Sequence, residues 1–264
     1  MSQATLSLAN GRVGMELNAQ VSDAQMPLIL ELFTSQGCSS CPPADDLLKH
    51  VAKQGAISGI PVIPLVYHVD YWDHLGWTDP FGRKEWTQRQ RTYAEKLGEG
   101  KKVYTPQLVI QGSVGEVGSK KDAIVRNVSQ AARYPPFTAK IEVELDLHSL
   151  ELEVDLTMQP LPAAYASLTS SADVMVALYE DGLRTDVRSG ENSGRSLESV
   201  HVVRSLERAF SVPTGESNRE EKRGKVRMKL AGGKWNRCGL VVFLQDGDTW
   251  RVFGGTQIQL SDDL

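Results

Sequence analysis

The chain has 264 residues, room for two modest domains or one large one. Hydrophobic residues make up 41% and charged residues 23%, an ordinary globular composition that excludes disordered, collagen-like and coiled-coil chains. A net charge of −4 leaves no general basic field for nucleic acid or anionic lipid, and no stretch approaches the ~20 apolar residues needed to span a bilayer.

Residues 1–26 are expected as an N-terminal extension. They carry no apolar core run of a signal peptide, which predicts a cytoplasmic protein as written, or a secreted or periplasmic one if a leader has been removed. Residues 28–33, Leu-Ile-Leu-Glu-Leu-Phe, form an apolar run before polar Thr34-Ser35-Gln36-Gly37 and read as a buried strand ending in a turn. A helix follows, with Leu47, Leu48 and Val51 at helical spacing, prolines at its start, and Asp45 and Asp46 suited to the positive end of its dipole. A second strand is predicted over 62–69 and a helix over 79–97, capped by Asp79 with Pro80 first. Residues 107–112 read as a strand and Gly-rich turn, and 119–132 as a helix with Ser119 as N-cap. Alternating strands and helices imply an α/β layer.

The pattern changes after Arg133. Ile141, Val143, Leu145 and Leu147 alternate with polar residues, and Leu150, Leu152, Val154 and Leu156 repeat this, so the two segments predict a hairpin. Further strands are expected at 173–180, 225–230, 239–245 and 250–253. The predicted organisation is therefore an α/β domain over 27–134 and a mostly β, sandwich-like domain over 135–264.

Three cysteines are too few for a disulfide scaffold. Cys38 and Cys41 stand three apart between a strand and a helix, whose unpaired N–H groups favour a thiolate, while Cys238 is a distant spare thiol read as a core residue. In this reading Cys38 attacks a disulfide and Cys41 resolves the mixed disulfide. A zinc site needs two further ligands, and no second CxxC or HxxxH pair exists. A binding module with a structural disulfide is the alternative, and a Cu(I) or metal chaperone a weaker one.

Residues 68–81 hold two His, three Asp and four aromatics, three of them the large Tyr71, Trp72 and Trp77. Tyr71, Trp72 and Trp77 are candidates for a substrate-binding wall, and His68, Asp70 and Asp73 for tuning the thiolate. Capping of a core and of turns is the plainer role for the same residues. A metal clasp from His68, Asp70, Asp73 and His74 matches no spacing template. Gly-rich residues 112–118 and 254–255 contain no GxGxxG and no phosphate-loop lysine, so no nucleotide cofactor is expected. The basic residues Arg219, Lys222, Arg223, Lys225, Arg227 and Lys229 are interleaved with Glu220 and Glu221, the pattern of a solvated hairpin.

The order CxxC–helix–strand–helix–Thr105-Pro106–strand–strand–helix resembles the thioredoxin superfamily over about residues 27–132. That resemblance implies a cis proline beside the dithiol, with Thr105 and Pro106 presenting backbone to an extended protein or peptide thiol or disulfide substrate. Several segments together are similar to the domain of unknown function 1223 family: residues 32–45 around Cys38-Ser39-Ser40-Cys41, His68-Val69-Asp70-Tyr71-Trp72-Asp73 with Leu75-Gly76-Trp77, Val103-Tyr104-Thr105-Pro106-Gln107, and Glu191-Asn192-Ser193-Gly194-Arg195 with Val202-Val203-Arg204. This resemblance implies a thioredoxin-like domain with an appended β domain, and it supplies no substrate.

Overall fold

The structure is a computed structural model that describes residues 4–9, 12–20, 26–98, 100, 102–215, 219–230 and 235–260. Two strands, β1 (Ala4–Ala9) and β2 (Arg12–Gln20), open the described chain. Strand β3 (Leu28–Thr34) is buried along its whole length, which is why it reads as a continuous apolar run. Helix α1 (Pro42–Gln54) begins on two prolines, whose missing N–H groups would have had no intrahelical acceptor, and ends on Gly55 at φ 64°. There follow β4 (Ala56–Ile57), β5 (Ile60–His68), α2 (Lys84–Lys96), β6 (Gln107–Ile110), β7 (Val114–Val117) and α3 (Lys121–Gln130). The expected caps are displaced: α2 starts after Arg83 rather than at Asp79, and α3 after Lys120 rather than Ser119.

The alternating segments form the hairpin β8 (Thr138–Asp146) and β9 (Glu151–Met158). The remaining strands are β10 (Ser171–Glu180), β11 (Leu183–Asp186), β12 (Ser196–Ser199), β13 (Val202–Pro213), β14 (Lys222–Lys229), β15 (Cys238–Asp246) and β16 (Val252–Gln259).

The expectation of an α/β thioredoxin-like domain followed by a separate, sandwich-like β domain is corrected by the sheet topology. The chain is mostly β, and one large mixed sheet runs through both parts in the order β16-β15-β10-β13-β5-β3-β6-β7, with β4 paired to β5. The join is β13 lying parallel to β5, Val202 opposite Val66, with the Val66 N–H donating to the His201 carbonyl at 2.9 Å. A second seam runs through Gln111. Its N–H donates to the Ile29 carbonyl, and its own carbonyl accepts the Val252 N–H, both at 2.9 Å. Gly112 sits at φ 61° there, and a Cβ on it would fall 2.1 Å from the Trp250 carbonyl oxygen, so only glycine lets the two segments approach.

Packing on the two faces follows the period-two alternation of the strands. Leu28, Leu30 and Leu32 face α1 and α3, whereas Ile29 and Phe33 share a core with Trp86 and Tyr93 of α2 and with Ala177, Val241 and Phe243 from the C-terminal part. Val174, Val176, Leu240 and Val242 turn the other way, onto the second sheet, which has the order β1-β2-β8-β9-β14. At the centre Arg89 makes two bonds to Glu31, 2.6 and 3.0 Å, with both side chains buried, Tyr93 donating to the same carboxylate, and Gln245 of β15 reaching the Tyr93 hydroxyl. Among the described residues no helix is long and apolar enough to cross a membrane.

Candidate functional site

Strand β3 ends at Thr34, and a tight turn carries the chain through Gly37 to the dithiol. The Cys38 N–H donates to the Ser35 carbonyl at 3.1 Å and the Cys41 N–H to the Cys38 carbonyl at 3.2 Å. The Cys41 carbonyl then receives the Ala44 and Asp45 N–H groups, at 2.8 and 3.1 Å, starting α1. A Cβ at Gly37 would lie 3.0 Å from the Trp72 Cβ, so a small residue admits the loop after β5 against this turn. Cys38 and Cys41 are free thiols, only 1% and 0% exposed.

The two thiols differ in acidity. Hydrogen bonding from Cys41 lowers the Cys38 pKa to about 6, against an opposing effect of burial and with help from Ser40, whose Oγ lies 3.2 Å from Cys38 Sγ. Burial pushes Cys41 far above the usual thiol range, and its bond to Cys38 and the charge of Asp45 push the same way. Cys38 Sγ also stands 3.7 Å from the Thr105 carbonyl oxygen, which the Ser40 hydroxyl approaches to 3.3 Å. The Thr105–Pro106 bond is cis.

A polar pocket lies below the turn. Burial raises the Asp45 pKa to about 7, moderated by the nearby His68. His68 Nδ1 lies 2.7 Å from Asp79 Oδ2, which also accepts the Gln36 N–H at 2.8 Å, while Asp79 Oδ1 accepts the Phe81 N–H at 2.9 Å. Burial favours neutral forms of both partners; their mutual attraction prevails, so His68 titrates above its ordinary value and Asp79 below. Thr34 Oγ1, Asp45 Oδ1 and His68 Nε2 are buried beside one another, and among the described residues none meets a partner at full hydrogen-bond geometry.

The predicted site residues fall into two groups. Trp72 packs against Gly37 of the dithiol turn and reaches the cis peptide, its Nε1 donating to Thr105 Oγ1 at 2.7 Å. Tyr71 reaches Gln90 at 3.2 Å, and Gln90 in turn donates to the Tyr104 carbonyl at 2.7 Å. Trp77 donates to Gln36 Oε1 at 3.2 Å, and His68 lies in the pocket below. Asp70 instead faces α2, accepting the Thr87 hydroxyl at 2.6 Å, and Asp73 accepts the Asp79 N–H at 3.1 Å inside its own loop. Among the described residues no three His, Cys, Asp or Glu side chains gather to hold a metal. Cys238 lies in the core under the second sheet, its pKa raised to about 12 by burial and by Glu180.

Sequence reasoning missed an arm from the C-terminal half. Strands β11 and β12 form a two-stranded ribbon paired to neither sheet, and its tip, residues 187–195, sits on the dithiol turn. Asn192, 1% exposed, donates from Nδ2 to the carbonyls of Gln36 and Cys38 at 2.8 and 2.9 Å. Its Oδ1 accepts from Arg195, a pure donor, which fixes the amide orientation. The Glu191 carboxylate accepts the Ser39 N–H at 2.9 Å. The only sequence signal for these contacts was the Glu191-to-Arg195 segment itself, because contacts across some 150 residues leave no local periodicity.

Fold and site together define a mostly β protein that holds a buried dithiol at a strand–helix turn. The chain belongs to the family described as protein of unknown function (DUF1223), whose model matches residues 29–245. It is similar to a structural-genomics crystal structure of an Agrobacterium tumefaciens protein, with 24% identity and TM-score 0.64 over 92% of this chain and 98% of that one. It is also similar in fold to HBP35 of Porphyromonas gingivalis, with 11% identity and TM-score 0.63 over 91% of this chain and 78% of that one. No curated protein matches the chain.

Proposed function

We propose that the protein is a thiol–disulfide exchange protein working on protein or peptide partners, with Cys38 attacking and Cys41 resolving. The observation that carries this reading is two free thiols one turn apart at the start of α1, with Cys38 Sγ 3.2 Å from Ser40 Oγ and 3.7 Å from the Thr105 carbonyl beside a cis proline. These surroundings lower Cys38 to about 6 while burial raises Cys41. A thiolate is the competent nucleophile, and a neutral neighbour keeps its proton until the second step. In that chemistry Cys38 thiolate attacks one sulfur of a substrate disulfide, forming a mixed disulfide and expelling the other sulfur as thiolate. Cys41 then gives up its proton and attacks the Cys38 sulfur. This closes the Cys38–Cys41 disulfide and releases the second substrate thiol, so two electrons pass to the substrate; the reverse sequence oxidises a dithiol. Thr105 flanks the attacking sulfur and Trp72 bonds to Thr105, so both would line the substrate's path.

The reading is tested by equilibrating the protein in glutathione buffers and trapping thiols for mass spectrometry. A reversible Cys38–Cys41 disulfide with a potential of roughly −120 to −270 mV is expected, and Cys38→Ser should abolish exchange. A potential below about −300 mV would mark a structural staple. No intramolecular disulfide at all would end the exchange reading.

A further inference from the structure

Cys38 is 1% exposed, so with the arm seated its sulfur cannot meet the sulfur of another molecule. The arm tip occupies three main-chain groups around the thiol: the Ser39 N–H, taken by Glu191, and the carbonyls of Gln36 and Cys38, taken by Asn192. The tip offers one acceptor and two N–H donors, the group types an extended backbone supplies through a C=O and the N–H groups of successive outward-facing residues. The tip is also a preassembled body. Val187 N–H donates to the Arg195 carbonyl at 2.9 Å, Gly194 N–H to the Val187 carbonyl at 2.8 Å, and Arg195 orients the Asn192 amide. It rests on the loop after β5, with Ser189 Oγ donating to the Gly76 carbonyl at 2.5 Å, and the ribbon behind it is bonded to neither sheet.

We infer that the arm tip is a seal that stands in for a partner's backbone, making Glu191 and Asn192 specificity-determining residues that admit an extended polypeptide and exclude small disulfides. The partner's backbone replaces the three hydrogen bonds as the tip lifts, whereas a small disulfide has too little backbone to replace them. The seal rests on the three main-chain bonds next to a buried Cys38; the partner class rests on the exchange function proposed above.

The test begins with iodoacetamide alkylation of the reduced protein at pH 9, well above the value of about 6 to which Cys38 is lowered, with each cysteine followed by peptide mass spectrometry. Asn192→Ala should accelerate modification of Cys38 at least tenfold and leave Cys41 and Cys238 protected. An unchanged Cys38 rate would overturn the seal. Should Cys238 react as well, showing a loosened fold, Glu191→Ala, which removes the acceptor of the Ser39 N–H at an exposed position, decides: it must accelerate Cys38 alone, and failure to do so overturns the seal. Exchange is then timed with glutathione disulfide and with insulin. The variant should gain at least tenfold on glutathione disulfide and much less on insulin; equal gains would overturn the selection of an extended partner. Faster alkylation without exchange on either disulfide would refute the exchange function and its partner, and leave the seal standing.

Discussion

Asp79 Oδ2 receives the His68 imidazole and the Gln36 amide together, at 2.7 and 2.8 Å, so one buried carboxylate fixes both the end of β5 and the approach to Cys38. Asp79→Asn should therefore be costly, about 3–5 kcal/mol as for other broken buried pairs. His68 is raised from 6.5, so its share of the stability is complete below that pH and fades as pH climbs through its folded pKa. Asp79 is lowered from 3.8, so its share is complete above that pH and fades as pH falls through its folded pKa. Urea unfolding from pH 3 to 9 should show the gap between wild type and variant widest between these two ordinary values.

Cys41 supplies the largest influence lowering the Cys38 pKa, so Cys41→Ala should move the midpoint of Cys38 alkylation upward from about 6. The expected direction is toward the free-thiol value of about 8.5, since burial then acts on Cys38 with less opposition. Ser40→Ala, removing the weaker contact at 3.2 Å, should move it less. A pH titration of iodoacetamide reactivity reads both.

Arg89 neutralises the buried Glu31 on β3 and shares a network with Gln245 on β15, tying the two halves at their centre. Arg89→Ala leaves a carboxylate buried without its cation, a change that costs about 3–5 kcal/mol. Because core residues of both halves interdigitate, circular dichroism and Cys238 labelling should report one unfolding transition that shifts as a whole. Two separated transitions would contradict a shared core.

The local elements were legible in the sequence because each has its own period: the apolar run of β3, the alternation of β8 and β9, the helical spacing of Leu47, Leu48 and Val51. The dithiol was legible for the same reason, since Cys38 and Cys41 lie within one turn of chain. What joins distant segments was not. The Val66–Val202 pairing and the Gln111 seam are main-chain bonds between segments far apart in the chain, and neither leaves a local period to read; the seam's one mark is Gly112, whose close approach shows only in the fold. Asp79 shows a subtler confusion. An aspartate before a proline resembles a helix cap, and only the fold places His68 and Gln36 within its reach.

Asp45 offers a prediction of opposite sign from the same pocket. Burial raises its pKa from 3.8 to about 7, against the opposing effects of His68 and Thr34. The folded chain therefore keeps this proton to a higher pH than the unfolded chain does. Stability is complete below about 3.8, declines as pH rises to about 7, and stays lower above that. Asp45→Asn removes the ionisation while keeping the shape of the side chain. At pH 8 the variant should be more stable than wild type by a few kcal/mol, because each tenfold difference in proton affinity between the folded and unfolded chain is worth about 1.4 kcal/mol. At pH 4 the two should converge. Urea unfolding at the two pH values measures the difference. The contrast with Asp79 lies in the partners: Asp79 holds the His68 imidazole and two amide N–H groups, whereas burial outweighs what His68 and Thr34 offer Asp45, whose charge also opposes ionisation of Cys41.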